Sequence, residues 1–234
     1  MNRMIEMKSI VVASLLAAGV LASQAASAVT TVSIKWQGLD QGGTKLSTLD
    51  STVSASTPVT SNYATSALNY TYTSTLKSFV AYCIEPNQGN GRASIARTYN
   101  VESFSGVQAQ HLQGLFSTAY TGLATYNDKA AFQLAVWELV RETGSTFDVS
   151  SGSFHVSSGD AVSGQVAAEA NTFLAQALAY NGPAHFALTK LTNAQAQDLI
   201  TASPAAAVPE PETYALFLGG LGVMVLLARR RLPR

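Results

Sequence analysis

Only one cysteine, Cys83, occurs in the 234 residues, together with three histidines and few charges: 14 basic and 14 acidic residues make up 12% of the chain and cancel. A lone cysteine excludes an internal disulfide framework. His111, His155 and His185 are far apart and form no H-E-x-x-H pair, so no metal and no other cofactor is expected. There is no G-x-S-x-G elbow and no Walker loop, and Gly89-Asn90-Gly91 reads as a turn. Nothing around Cys83 matches a cysteine-protease signature, which argues against a Cys83–His111 hydrolase. Residues 29–208 carry eight Lys or Arg against eleven Asp or Glu, without a basic patch interleaved with aromatics, so nucleic acid is not an expected partner. No internal repeat is visible.

What is present at the two ends reads as addresses. Arg3 and Lys8 form a basic region, residues 10–22 a short apolar one, and Ala26-Ser27-Ala28 a small-residue cleavage site. A signal peptide over 1–28 is expected, with the mature chain starting near Val29. Without a twin arginine or a cysteine at the cut, general secretion is the expected route. At the other end, residues 213–228 are apolar and shorter than the ~20 residues that comfortably span a bilayer; Arg229, Arg230 and Arg231 follow. The basic cluster would hold that end on the cytoplasmic side. Upstream stand Pro209, Glu210 and Pro211.

This order over 208–234 resembles the PEP-CTERM sorting signal of Gram-negative bacteria that make exopolysaccharide. The resemblance implies recognition by an exosortase, a membrane cysteine protease-transpeptidase. It also implies transient anchoring in the inner membrane through the C-terminal helix, then cleavage and delivery to the cell surface, extracellular matrix or biofilm. A permanent tail anchor is the alternative. An exported chain with one thiol leaves three readings of Cys83: an intermolecular partner, a reactive group, or a small buried hydrophobe.

Residues 29–207 suit one domain able to bury a core. Val32, Ile34 and Trp36 alternate with polar residues as a half-buried strand, broken by residues 38–43. The Ser/Thr-rich stretch 47–61 reads as a loop or irregular edge. Residues 68–72 and 77–84 are aromatic and β-branched, hence strands; period two puts Phe79, Ala81 and Cys83 on one face and Val80, Tyr82 and Ile84 on the other. Residues 86–89 make a turn, and 97–101 a further strand. From Gly106 the period becomes helical. One helix runs to Gly122, a second is capped by Asn127 and ended by Gly144, and a third buries Val166, Ala170, Phe173, Leu174, Ala177 and Leu178. Residues 185–189 return to a strand. The fold class expected is α+β, a β-rich sheet or sandwich with strands to about 104, an inserted helical segment over about 106–180 and late strands.

On the second helix Glu138, Arg141 and Glu142 gather on one side, with Gln133 opposite among Val136, Trp137 and Val140. Burying an unpartnered amide costs about 1–3 kcal/mol, so Gln133 must hydrogen-bond, bind something, or no longer be a free amide. A core glutamine bonded to backbone satisfies this too.

Tyr82-Cys83-Ile84 with acidic Glu85, followed fifty residues on by Phe132-Gln133-Leu134-Ala135-Val136-Trp137, resembles the two signatures of bacterial thioester (TQXA-type) domains. Phe132 stands where that family has threonine. The resemblance implies an internal thioester in which the Cys83 sulfur has displaced ammonia from the Gln133 carboxamide. It implies single-turnover covalent attachment to a surface or matrix nucleophile, a lysine amine or a polysaccharide hydroxyl. Turnover catalysis is not expected, so the chain is not read as an enzyme. Thiolates are strong nucleophiles, but amides resist them, so the fold must supply proximity and donors for the oxyanion. Glu85 and His111 are candidate proton-transfer helpers. The rival reading is a non-covalent structural or carbohydrate-binding matrix protein in which Cys83 and Gln133 are merely packed.

Overall fold

The computed structural model describes residues 29–93, 95–206, 216–221 and 223–224. The expected signal peptide and the sorting residues Pro209, Glu210, Pro211, Arg229, Arg230 and Arg231 lie outside the described residues. Strands come first: β1 (Thr31–Leu39), β2 (Thr44–Asp50), β3 (Thr60–Thr65), β4 (Leu68–Tyr72), β5 (Ser78–Cys83) and β6 (Ala96–Glu102). Helix α1 (Gly106–Ala119) continues into a short 3-10 turn, Tyr120–Gly122. Then follow α2 (Tyr126–Arg141), β7 (Phe154–Val156), α3 (Ala161–Ala179), β8 (Phe186–Thr192) and β9 (Leu199–Pro204). Among the described residues no helix is long and apolar enough to cross a membrane.

The fold is α+β, but its main sheet is neither open nor a sandwich. β1, β4, β5, β9, β8 and β6 close into an antiparallel barrel, and β3, β2 and β7 form a separate sheet. Closure leaves the main sheet no free edge. The break expected at residues 38–43 does not occur at its start: β1 continues through a bulge between Trp36 and Gly38 to Leu39. Gly38 has φ +115° there, a conformation that a side chain resists.

The stretch 47–61, expected as a loop, contains half of β2 and the first residues of β3. The inward positions of β2 are Thr44, Leu46, Thr48 and Asp50, mostly polar, so an apolar/polar alternation could not reveal them. Their burial is supported by hydrogen bonds instead. The Thr48 N–H donates to Thr60 Oγ1 at 2.9 Å, and fully buried Asp50 accepts from Arg141 Nε at 2.5 Å and from the Thr52 N–H at 3.0 Å.

The helices cover the barrel through an aromatic layer. Tyr82 of β5 packs against Phe116, Tyr120 and Phe132, and Tyr120 reaches Phe186 on β8. Helix α2 lies at the centre of the assembly, in contact with α1, α3, β2, β3, β5 and β7. It is buried on every side from Lys129 to Leu139, so its charges need partners. Lys129 Nζ meets Asp40 at 2.6 Å and Arg141 meets Asp50. The cap expected at Asn127 belongs to Thr125, which with Asp128 forms a reciprocal capping box; Asn127 instead accepts from Thr44 Oγ1 at 2.5 Å. The end expected at Gly144 comes at Arg141, because the Glu142 carboxylate turns to accept from the N–H groups of Gly144 and Ser153. On α3, Leu178 is exposed rather than part of the buried stripe.

Glu138, on the charged side of the helix opposite Gln133, is fully buried. Its Oε1 accepts from the Asp148 N–H at 2.7 Å, while Oε2 has no partner. Burial pushes this carboxyl up to about 8, opposed by the Asp148 N–H. The unfolded group loses its proton near 4.5 and the folded one near 8, so folding holds a proton across that window and stability falls as pH rises through it. In urea unfolding, the stability of Glu138→Gln relative to the natural chain should therefore rise steadily between pH 5 and about 8. An unchanged difference would mean that Glu138 titrates normally.

A second expected outcome concerns the contact between α1 and α3. In a helix interior Gly→Ala ordinarily stabilises by about 1 kcal/mol, but a Cβ on Gly114 would stand 2.2 Å from the Ala177 carbonyl oxygen. The overpacking outweighs the propensity, and Gly114→Ala should lose about 2 kcal/mol, read as a lower urea midpoint at unchanged m-value.

Candidate functional site

Cys83 is the last residue of β5 and pairs with Leu199 of β9. The next residue, Ile84, donates its N–H to the Asp198 carbonyl at 2.9 Å. In an antiparallel ladder alternate residues turn their backbone groups to opposite neighbours, so the N–H and C=O of Cys83 face away from β9. On that side β4 begins only at Leu68, opposite Ala81, and no strand residue is there to receive them. The Gln133 carboxamide takes that place. The Cys83 N–H donates to Gln133 Oε1 at 2.8 Å, and Gln133 Nε2 donates to the Cys83 carbonyl at 2.6 Å. A side chain from α2 thus completes the ladder as a peptide group would.

Residues fifty positions apart are brought together in the core, Cys83 at 2% exposure and Gln133 at 1%. The thiol accepts from the Glu85 N–H at 3.3 Å. Burial pushes it up to about 12, with the Trp137 indole and the Glu85 N–H acting the other way. The indole lies close enough to favour the anion but makes no hydrogen bond of ordinary geometry, since its Nε1 has no partner. At neutral pH the sulfur is therefore a thiol, and any attack on the amide must move its proton onward.

Of the other sequence candidates, Tyr82 faces the aromatic layer, Ile84 is buried core, and Trp137 lies beside the thiol, packed on Phe154. Glu85 contributes its backbone N–H to the sulfur; its carboxyl is raised, first by burial and then by Asp198. His111 is half-buried on α1 against Phe147, with ring centroids 5.2 Å apart, and does not line the cleft at Cys83. Among the described residues no group of His, Cys, Asp or Glu is arranged to hold a metal.

The cleft at Cys83 and Gln133 is lined also by Tyr63, Ser66, Trp137 and Gln197, and its volume is about 10 Å³, room for one water. It adjoins a wider groove of about 200 Å³ between β3 and the turn after β5, which shares Tyr63, Trp137 and Gln197. Tyr63 at the mouth accepts from Asn90 Nδ2 at 3.1 Å. Gln197 and Tyr63 were not legible as site residues. The 193–198 stretch shows no periodicity, and Tyr63 lies on a strand without an apolar alternation.

The doubly bonded amide makes a direct expectation. Compared with Cys83→Ala, in which Gln133 keeps its amide, the double variant Cys83→Ala/Gln133→Leu leaves two backbone groups of residue 83 unpaired in the core and should cost about 3 kcal/mol, measured by urea unfolding. A loss below about 1 kcal/mol would mean that water replaces the amide.

No curated protein matches the chain. Among solved structures, the chain is similar to the N-terminal domain of the Streptococcus pyogenes pilus tip adhesin Cpa, at 14% identity over 74% of this chain and 98% of that one, with a TM-score of 0.46. It is also similar to the N-terminal thioester domain of a surface protein from Clostridium perfringens, at 12% identity over 75% and 100% of the two chains, with a TM-score of 0.42. Likeness at this level carries no functional argument. The model of the PEP-CTERM protein-sorting motif matches residues 207–231, so the chain carries that sorting motif at its C-terminal end.

Proposed function

We propose that this is an exported cell-surface or matrix protein whose Cys83 and Gln133 condense into an internal thioester for single-turnover covalent attachment to a nucleophile. The observation that carries the reading is the pair of hydrogen bonds between the Gln133 carboxamide and the backbone of Cys83. They hold the acyl group against the residue that bears the nucleophile, where effective molarity replaces collision. The Cys83 N–H at 2.8 Å from Oε1 is a donor aimed at the oxygen on which charge develops during attack. In the condensation the C–S bond forms, the Cδ–Nε2 bond breaks, and the thiol proton leaves with the nitrogen as ammonia. An amine or hydroxyl then opens the thioester, bonding to the Gln133 carbonyl and returning the proton to Cys83. Glu85 and His111 are assigned no step. The sorting motif supports export, with an exosortase acting near Pro209-Glu210-Pro211 after transient anchoring in the inner membrane of a Gram-negative cell.

A second reading has its own observation. The Gln133 amide is already satisfied by Cys83, which suffices for a structural glutamine in a non-covalent matrix or carbohydrate-binding protein. Intact mass decides between the two. The purified chain should be lighter than its sequence by one ammonia, Cys83→Ala should have full mass, and a small primary amine should add once. Full mass in the natural chain, with a thiol that alkylates after unfolding, leaves the structural reading.

A further inference from the structure

A separate cleft of about 520 Å³ opens between α1 and the chain leaving α3. Ala109, Gln110 and Gln113 line it from α1, and Tyr180, Asn181 and Gly182 from the other side. None of these six lines the cleft at Cys83 or the groove beside it. The two sides are tied together by hydrogen bonds. Gln113 Nε2 donates to Ser117 Oγ at 3.2 Å, and the same oxygen accepts from the His185 N–H at 3.2 Å. His185 Nδ1 donates to the Ser117 carbonyl at 3.2 Å, and its Nε2 stands 3.4 Å from the Tyr180 hydroxyl. That hydroxyl donates in turn to the Pro183 carbonyl at 2.6 Å. A Cβ on Gly182 would stand 2.6 Å from the hydroxyl oxygen, so the phenol packs on bare backbone there. Asn181 Nδ2 donates to the Ala179 carbonyl at 3.1 Å. The ring and two of the amides are thus fixed by the chain itself, while Gln113 and Asn181 keep their side-chain carbonyl oxygens for a donor from outside.

We propose that this cleft binds an uncharged oligosaccharide, with Tyr180 as the stacking platform and Gln110, Gln113 and Asn181 as the hydrogen-bonding groups. It gives the carbohydrate-binding reading a place in the fold, and it holds equally if Cys83 and Gln133 condense. No lining residue carries a charge, so a polyanion finds no cation to pair with. The only apolar side chains lining the cleft are Ala109 and Tyr180, so a peptide finds no pocket for an anchoring side chain. A pyranose matches what is there. Its hydroxyls donate and accept, as carboxamides do, and its apolar C–H face packs on an aromatic ring. The volume lies in the range of ~300–1,000 Å³ usual for ligand sites and admits a short chain of sugar rings. Because the ring and amides are already held by Ser117, His185, Pro183 and Ala179, binding orders few further side chains.

The test titrates cellotetraose, maltotetraose and laminaritetraose into the full purified chain by calorimetry, beside tetragalacturonate and a capped Gly/Ser tetrapeptide. At least one neutral tetrasaccharide should bind reversibly and more tightly than the anionic sugar or the peptide. Tyr180→Ala and Gln110→Ala should each weaken that binding about tenfold. Tyr180→Phe keeps the ring and should retain most of it, whereas Gly182→Ala displaces the ring and should weaken it. Gln110 is exposed on α1, so its alanine variant carries the test if Tyr180→Ala does not fold. Three outcomes overturn the site: no neutral sugar binds, affinity is unchanged in the folded Tyr180→Ala and Gln110→Ala variants, or tetragalacturonate or the peptide binds more tightly. None of them touches the mass of the chain, by which the thioester is judged separately.

Discussion

The end of β5 imposes the constraint around which the rest is arranged. A ladder residue has two backbone hydrogen-bonding groups, and at Cys83 they face a side from which the neighbouring strand has departed. In a buried position they must be paired. The Gln133 amide pairs both, which requires α2 to press against the barrel at that height and rotation. The ion pairs Lys129–Asp40 and Arg141–Asp50 hold the two ends of the same helix to the loop after β1 and to β2. A helix buried on all sides is thus positioned by polar contacts along its length, although most of its buried residues are apolar.

Elements with an apolar signature were legible in the sequence: β4, β5, β6 and the three helices stand close to where periodicity puts them. The alternation in β5 also separated Tyr82 from Cys83, and the structure sends Tyr82 to the aromatic layer and Cys83 to Gln133. What escaped was polar burial. Thr48, Thr60 and Asp50 read as loop residues because their inward face is supported by hydrogen bonds, and the burial of Glu138 among the charged residues of α2 was not legible because a wheel records spacing and not neighbours. Barrel closure escaped as well, since it depends on β9 pairing with β5, on β8 pairing with β6 and on β6 pairing with β1, across long separations. The meeting of Cys83 and Gln133 entered through motif resemblance, and the reason for it, an absent strand partner, has no trace in composition or spacing.

Burial has opposite consequences for the two stages of the proposed chemistry. A dry site lengthens the life of an acyl group by excluding water, and a cleft with room for one water is nearly dry. The same burial raises the thiol to about 12 and so withholds the thiolate. Compensation comes from the amide side, where the N–H of Cys83 polarises the carbonyl and the departing nitrogen can carry the proton away. A site poised in this way suits a bond made once during folding and kept, in contrast to a catalyst that must regenerate its nucleophile each cycle.

The position of β9 in the barrel bears on how the molecule would carry mechanical load. Among the described residues β9 is the last strand before the segment with the sorting motif, and it pairs directly with β5 through Ala81–Thr201, Tyr82–Ile200 and Cys83–Leu199. A chain tethered at its C-terminus and gripped at the Gln133 carbonyl would pass tension from α2 through the end of β5 into β9, along the strand axes. Antiparallel strands pulled lengthwise must break their cross-strand hydrogen bonds together and not one at a time. The barrel strand nearest that segment is thus also the one that braces the residue facing Gln133, and its six pairs with β8 would share the load with its three to β5.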